Sequence, residues 1–254
     1  MRYSPAAMMT PYAPSPQPRP ISGLDTDRIQ AITLDLDDTL WPIWPAIARA
    51  DEVLRAWLAE RAPATAALCV QPDALRAARA ELERQRPELA HDLSAMRREA
   101  IRGLLQRAGD DPALAEPAFE VFFAERQRVD LYADALPALE RLSARYPLVT
   151  LTNGNADVHR VGIGGYFRGE VTARRFGVGK PDPRIFQAAA DAAGVPASAV
   201  LHVGDDPALD GVGALNAGMQ LAWVNRAGHA WSHGPVPPHA TVSDLLALCD
   251  LLGL

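Results

Sequence analysis

Two aspartates at the end of an apolar run could carry out chemistry on an ester or hold a metal ion. Asp35 and Asp37 follow the run that begins at Ala31. Residues two apart in a strand point to the same side, so the two carboxylates are expected to lie close together. Such groups repel unless a cation lies between them or one keeps its proton. The pair predicts a hard divalent metal, a nucleophile with an acid, or both; the alternative is a solvated acidic turn.

Later stretches supply the other groups that a phosphate and magnesium site needs. They are a hydroxyl, an amide, a cation and three carboxylates, in the order Thr152, Asn153, Lys180, Asp205, Asp206 and Asp210. Carboxylates would hold the metal, while the lysine and the hydroxyl would hold phosphoryl oxygens. Each stretch alone is a weak signal, but the four stretches in this order are a strong one.

The surrounding pattern predicts the elements that position these groups. The segment 42–133 is rich in alanine, leucine, arginine and glutamate, which favours helices near 44–61, 72–86, 91–108 and 112–129. Elsewhere strands alternate with helices. Strands are expected at 31–35, 148–152, 199–203, 220–224 and 240–242, and helices near 135–145, 183–193 and 207–217. Alternation implies a parallel sheet with right-handed crossovers. The predicted fold class is therefore α/β, a Rossmann-like core (21–41 and 134–254) with an inserted helical cap (42–133).

Composition excludes several classes of function. A net charge of -6 argues against a general nucleic-acid binder, and no apolar run approaches the ~20 residues of a membrane span. Cys69 and Cys249 are far apart and lack metal-site spacing, which indicates free thiols and a cytoplasmic protein. The proline-rich segment 1–20 is expected to be a disordered arm. His202 lies in an apolar strand and is expected to be a buried core residue.

The four stretches resemble the motifs of the haloacid dehalogenase-like hydrolases. They read D-x-D-D-T, L-T-N-G, G-K-P-D-P and H-V-G-D-D-x-x-x-D, in that family's order and approximate spacing. The segments 87–92, P-E-L-A-H-D, and 151–156, L-T-N-G-N-A, are also similar to a bacterial subgroup of phosphatases. That subgroup acts on FMN and on the phosphorylated ribitylaminouracil of riboflavin synthesis.

The resemblance implies a Mg²⁺-dependent phosphomonoester hydrolase that works through an aspartyl-phosphate. Asp35 would be the nucleophile. Asp37 would be the general acid and then the base, a residue that the family's dehalogenases lack. Asp35, the backbone carbonyl of Asp37 and Asp205 would ligate Mg²⁺.

The remaining groups would support that centre. Thr152, Asn153 and Lys180 would bind the phosphoryl group, and Asp206 and Asp210 would orient waters or Lys180.

The cap would choose the substrate, with Arg86, His91 and Arg97 as its candidate contacts. The predicted partner is a small phosphomonoester, with no nucleic acid or membrane, and the protein would be a monomer or homodimer. A sugar-phosphate phosphatase or mutase shares the same core motifs and stays open. A non-catalytic phosphometabolite-binding protein is the alternative of another class, against which the complete motif set argues.

Overall fold

A parallel sheet forms the centre of the molecule. The computed structural model describes residues 23–71 and 73–254, so the predicted arm at 1–20 lies outside the described residues. The strands are β1 Ala31–Leu34, β2 Leu148–Thr152, β3 Gly169–Thr172, β4 Val200–Gly204, β5 Gln220–Val224 and β6 Ala240–Val242. Within the described ranges they form one six-stranded sheet in the order β3-β2-β1-β4-β5-β6, with every pair parallel. The predicted α/β fold class is confirmed.

Helices cover both faces of this sheet and form a separate group beyond its carboxyl edge. They are α1 Ile43–Arg61, α2 Pro63–Leu68, α3 Ala74–Gln85, α4 Leu93–Ala108, α5 Ala115–Arg126, α6 Ala135–Arg145, α7 Val158–Val161, α8 Ala173–Phe176, α9 Pro183–Ala193, α10 Val212–Asn216 and α11 Leu245–Leu251. Helices α6 and α11 pack on one face of the sheet, and α9 packs on the other. Burial on both faces explains why β1, β2, β4 and β5 are continuous apolar runs rather than alternating ones.

Helices α1 to α5 have a hydrophobic core of their own. Leu54 and Leu58 of α1 pack in it with Ile101 of α4 and Phe119 and Phe122 of α5. The two chain segments that connect this helical group to the sheet are hydrogen-bonded to each other, since the Tyr132 N–H donates to the Leu40 carbonyl (2.9 Å). This helical group lies between the motifs at β1 and β2, and the exact cap limits of 42 and 133 stay a prediction.

Three elements differ from those expected from the sequence. Helix α2 is additional: Pro63 cannot continue α1 but suits the first turn of a new helix. Strand β3 was not predicted, because it is a short edge strand with a glycine and only one fully buried residue. The helix expected at 207–217 begins as a π-helical turn over Pro207–Gly211 before α10. Among the described helices, none is long and apolar enough to cross a membrane.

Candidate active site

The site lies where the strand order reverses between β1 and β4, at the carboxyl edge of the sheet. Asp35 follows β1, and its N–H donates to the Val203 carbonyl of β4 (2.9 Å). The Lys180 ammonium donates to Asp35 Oδ1 (2.6 Å) and to Asp210 Oδ1 (2.5 Å). All three side chains are buried. The structure therefore brings together the predicted nucleophile, the predicted phosphoryl-binding lysine and one of the predicted supporting aspartates.

The three carboxylates at this edge of the sheet would carry more negative charge than the neighbouring lysine neutralises. Oxygens of Asp35, Asp205 and Asp210 lie within 4.8 Å of one another, and Lys180 is the cation beside them. Burial, opposed by Lys180 and reinforced by Asp210 and Asp205, raises the pKa of Asp35 well above its ordinary value. Burial, with Asp210 and Asp38, also raises the pKa of Asp205 to about 7. An additional cation would restore both carboxylates to their charged forms, so the cluster fits a divalent metal ion bound by oxygen ligands.

Two side chains that the sequence interpretation did not include fix Asp205. Thr39 donates its hydroxyl to Asp205 Oδ1 (3.1 Å), and Trp223 donates its indole N–H to the Asp205 carbonyl (2.7 Å). Thr39 belongs to the motif D-x-D-D-T, so its position in that motif was a usable signal. The two contacts hold Asp205 at the end of β4 opposite the end of β1.

Asp210 organises the buried side of the cluster. Besides Lys180 it faces His202 Nε2 (3.0 Å) and accepts the Asp206 N–H (3.1 Å). Burial would raise the pKa of Asp210, but Lys180 and His202 outweigh it and lower this pKa. A Cβ at Gly204 would lie 2.3 Å from Asp210 Cγ, so glycine is required there for this close approach.

His202 is buried, as expected for a core histidine. Its Nδ1 lies 2.8 Å from the hydroxyl of Thr33.

The side chain of Asp206 caps a helical turn, and its role in orienting waters stays a prediction. Its carboxylate accepts the N–H groups of Ala208 (2.8 Å) and Leu209 (2.9 Å) and so caps the π-helical turn. Its side chain therefore starts the segment that carries Asp210, rather than orienting Lys180 directly. Proline at the next position favours such a capped start.

The side chain of Asn153 holds Lys180 in place. Its Oδ1 accepts the Lys180 N–H (2.7 Å), and its Nδ2 donates to the Lys180 carbonyl (2.9 Å). Both ends of the amide therefore bind the Lys180 backbone, which positions the lysine; the backbone N–H of Asn153 stays the predicted phosphate contact. Thr152 is buried at the end of β2, and its hydroxyl accepts the Gly154 N–H (2.9 Å).

Asp37 points away from the carboxylate cluster and toward the cap helices. Its Oδ1 accepts the Trp41 indole N–H (2.8 Å), and both oxygens accept Arg126 Nη2 (2.6 and 2.8 Å). A Cβ at Gly154 would lie 2.5 Å from Asp37 Oδ2, so the loop after β2 also approaches closely. Only the backbone carbonyl of Asp37 was predicted to bind the metal, and the side-chain orientation is compatible with that expectation.

Arg126 was missed by the sequence interpretation. It ends α5 with only 1% of its surface exposed, and its Nε donates to Asn155 Oδ1 (3.1 Å). A signal was present, because Arg126 follows the apolar residues Ala118 and Phe122 at intervals of four, on the face that α5 buries.

A cavity of about 130 Å³ lies between Asp37 and the cap helices. Its other walls include Trp44, Arg79, Arg97, Arg126 and Gly154, with Ile43, Ile47, Leu93, Phe122 and Asn155. Of the three predicted cap contacts, Arg97 lines this cavity. Arg86 is exposed and pairs with Glu88, and His91 is half-buried; neither lines this cavity.

Known proteins similar to this chain belong to the family that its motifs resemble. The family model described as a haloacid dehalogenase-like hydrolase matches residues 29–218. The 5-amino-6-(5-phospho-D-ribitylamino)uracil phosphatase YigB of Escherichia coli is 32% identical over 233 residues, 89% of this chain and 97% of the relative. A phosphoserine phosphatase of Thermus thermophilus is 38% identical over 136 residues, 51% of this chain and 55% of the relative.

A solved structure is also similar over most of its length. The structure named 2-haloacid dehalogenase from Pseudomonas syringae pv. Tomato is 41% identical, with a TM-score of 0.82, and covers 89% of this chain and 98% of its own. The similar proteins thus carry phosphatase names and a dehalogenase name on the same fold.

Proposed function

The chain belongs to the haloacid dehalogenase-like hydrolase family and is a phosphatase, and we propose that it hydrolyses phosphomonoesters through an aspartyl-phosphate on Asp35, with Mg²⁺ as cofactor. The observation that carries this proposal is the arrangement around Asp35. A buried ammonium and two further carboxylates meet the predicted nucleophile, while a second aspartate two residues later faces an adjoining cavity.

The proposed reaction uses the two aspartates in turn. An Asp35 oxygen attacks phosphorus, the ester P–O bond breaks, and Asp37 gives its proton to the leaving oxygen. Asp37 then takes a proton from water, the water oxygen attacks the phosphorus, and inorganic phosphate leaves with Asp35 restored. Lys180 and the N–H groups after Thr152 would bind the phosphoryl oxygens. When bound by Asp35, the Asp37 carbonyl and Asp205, Mg²⁺ would supply positive charge to the carboxylates and phosphoryl oxygens.

For the substrate we propose FMN or 5-amino-6-(5-phospho-D-ribitylamino)uracil. The name of the Escherichia coli relative, aligned over almost its whole length, and the P-E-L-A-H-D stretch support this choice. A sugar-phosphate phosphatase remains the same-chemistry alternative, because the core groups contact the phosphoryl group that all these esters share. The cytoplasmic location and the monomeric or homodimeric state stay predictions from the sequence.

Dehalogenation is a second candidate, favoured by the name of the 41% identical structure. It would use Asp35 as nucleophile on carbon rather than on phosphorus. Asp37 argues against it, because displacement of a halide needs no proton donor for the leaving group, whereas an alkoxide does. Both candidates predict a covalent intermediate on Asp35, an acyl phosphate in one case and an ester in the other, so the released product must separate them.

The test is a substrate panel on purified full-length protein. The panel contains FMN, the phosphorylated pyrimidine, sugar phosphates, p-nitrophenyl phosphate and 2-chloropropionate, each with Mg²⁺ and with EDTA. We expect phosphate release that requires Mg²⁺, and the highest kcat/KM with a flavin-pathway ester. Chloride release without phosphate release would overturn the phosphatase proposal. A clear preference for sugar phosphates would overturn only the flavin assignment.

A further inference from the structure

The guanidinium of Arg126 has a donor without an acceptor. Its Nη2 and Nε are bound to Asp37 and Asn155, but Nη1 is buried and has no hydrogen-bond partner among the described residues. A buried charged donor normally finds an acceptor in the protein or in a bound molecule, because leaving it unpaired is costly. Arg126 lines the cavity beside Asp37, so a molecule bound there would lie next to its guanidinium.

A second arginine of the same cavity also has no partner in the part of the chain that the structure describes. Arg79 of α3 lines it and forms no hydrogen bond or ion pair within the described ranges. The neighbouring Arg97 differs, because it donates to Asp51 (2.8 Å) and lies over the Phe122 ring at 3.6 Å. The cavity lining therefore includes one arginine held by Asp51, and two arginines with donors that no described residue accepts.

The cavity adjoins a larger pocket lined by residues of the cap helices. A pocket of about 420 Å³ shares Trp44, Ile47, Arg79 and Arg97 with it, so the two spaces adjoin. In the proposed reaction Asp37 meets the ester oxygen, and the rest of the leaving group must then lie beyond Asp37. To give its proton to the ester oxygen, Asp37 must also loosen its contact with Arg126. This change frees further N–H donors of Arg126 beside the cavity.

We infer that this cavity binds oxygen atoms of the leaving group, with Arg126 Nη1 and Arg79 as the donors that select oxygen-rich esters over plain alkyl or aryl phosphates. The inference rests on the proposed function and specifies its substrate class. The acceptors are hydroxyl or carboxylate oxygens within a few carbons of the ester, since the cavity next to Asp37 is small. Hydroxyl and carboxylate oxygens both accept hydrogen bonds from an arginine, so esters that carry one or the other are needed to distinguish them.

The first experiment compares kcat/KM for matched esters. Ribitol 5-phosphate presents hydroxyls, phosphoglycolate presents a carboxylate, and pentyl phosphate presents neither. For Arg79→Met and Arg126→Lys we expect kcat/KM to fall about 10- to 100-fold on at least one oxygen-rich ester, the loss of a hydrogen bond to a charged group. On pentyl phosphate the fall should be at most about threefold for Arg79→Met. The control is Arg84→Met, an exposed arginine of the same helix that pairs with Glu81.

The second experiment measures binding without turnover. Asp35→Asn, alone and combined with Arg79→Met or Arg84→Met, is titrated with ribitol 5-phosphate and phosphoglycolate by calorimetry. We expect the Kd of one of these esters to rise about 10-fold or more with Arg79→Met and not with Arg84→Met. Equal Kd values in the two double variants would overturn the inference, as would equal kcat/KM losses on all three esters. Absence of hydrolysis by the wild type would instead overturn the proposed function, and the binding result would still decide the role of the cavity.

Discussion

At the scale of single residues, Lys180 holds two carboxylates together inside the protein. Its ammonium is 2.6 Å from Asp35 and 2.5 Å from Asp210, and burial of an ammonium without such partners would lower its pKa; the two carboxylates raise it instead. Removing one member of a buried ion pair leaves an uncompensated charge and costs about 3–5 kcal/mol. The same lysine that is proposed to bind phosphate is thus also a structural cation.

Lys180→Met should therefore lower the free energy of unfolding by about 3–5 kcal/mol, measured by urea unfolding in EDTA. Adding Asp210→Asn to this variant removes the unpaired charge and should recover part of the loss. Both variants should be inactive on p-nitrophenyl phosphate. If Lys180→Met unfolds at the same urea concentration as the wild type, the ion pair does not have the stabilising role assigned to it.

Asp35→Asn should separate activity from stability. The amide keeps the shape but cannot attack phosphorus, so turnover of p-nitrophenyl phosphate should fall by ~10⁴-fold or more. Burial raises the pKa of Asp35, which means that the folded state disfavours its charged form at neutral pH. The melting temperature in EDTA should therefore not fall. A variant retaining more than about a hundredth of the wild-type rate would contradict the covalent mechanism.

At the scale of elements, Asp134 joins three segments of the core. It stands before α6, accepts Arg226 Nη1 (3.0 Å) and Nη2 (2.8 Å), and accepts the Leu245 N–H at the start of α11 (2.8 Å). Burial would raise the pKa of Asp134, but the hydrogen bonds from Arg226 and Leu245 outweigh it and lower this pKa. A carboxyl group with a lowered pKa stabilises the fold where it is ionised.

Asp134→Asn should lower the free energy of unfolding by about 1–2 kcal/mol at pH 7, allowing for partial solvent exposure. Because folding lowers the pKa of Asp134, its ionised form stabilises the folded state. The contribution is complete above the unfolded-state pKa of about 4 and is lost as the pH falls below it. The difference between variant and wild type in urea unfolding should stay constant from about pH 8 to pH 5 and narrow in more acidic buffers. A difference between variant and wild type that increased as the pH fell would contradict the stabilising role of the ionised carboxylate.

The elements that the sequence predicted well are those with a long or strong local pattern. The helices of 42–133 have a high content of alanine and leucine, and the parallel strands are apolar runs, so both could be recognised without tertiary information. Because parallel strands end at one edge, the predicted strand ends placed Asp35, Thr152 and Asp205 at the same edge of the sheet.

The contacts that the sequence could not predict join residues far apart in the chain. Asp37 and Arg126 are 89 positions apart, and only the packing of α5 over the loop after β1 brings them together. Arg86 directly precedes the P-E-L-A-H-D stretch, but local sequence does not determine which way a cap helix faces, and the structure exposes Arg86. The sequence placed Asn153 in the site with Lys180, but the Asn153 side chain binds the Lys180 backbone.

At the scale of the whole molecule, the carboxylate cluster joins distant parts of the core. Asp35 follows β1, Asp205 follows β4, and Asp210 lies in the turn that leads to α10, so a cation bound among them would link three segments. A ligand that binds only the folded state stabilises it, by ≈ 2.7 kcal/mol at a concentration 100 times its Kd. The proposed cofactor should therefore be visible in the stability of the protein as well as in its activity.

Mg²⁺ should raise the melting temperature in a concentration-dependent manner, and EDTA should abolish both that rise and phosphatase activity. Asp205→Asn removes one negative ligand and should raise the Mg²⁺ concentration needed for half-maximal activity by about tenfold or more. Ca²⁺ should support little activity, because its larger and looser coordination shell misplaces the phosphoryl group. Asp250→Asn, an exposed aspartate of α11, is the matched control and should respond to Mg²⁺ as the wild type does. Full activity in EDTA, or the same Mg²⁺ requirement in Asp205→Asn and Asp250→Asn, would show that the cluster does not hold the catalytic metal.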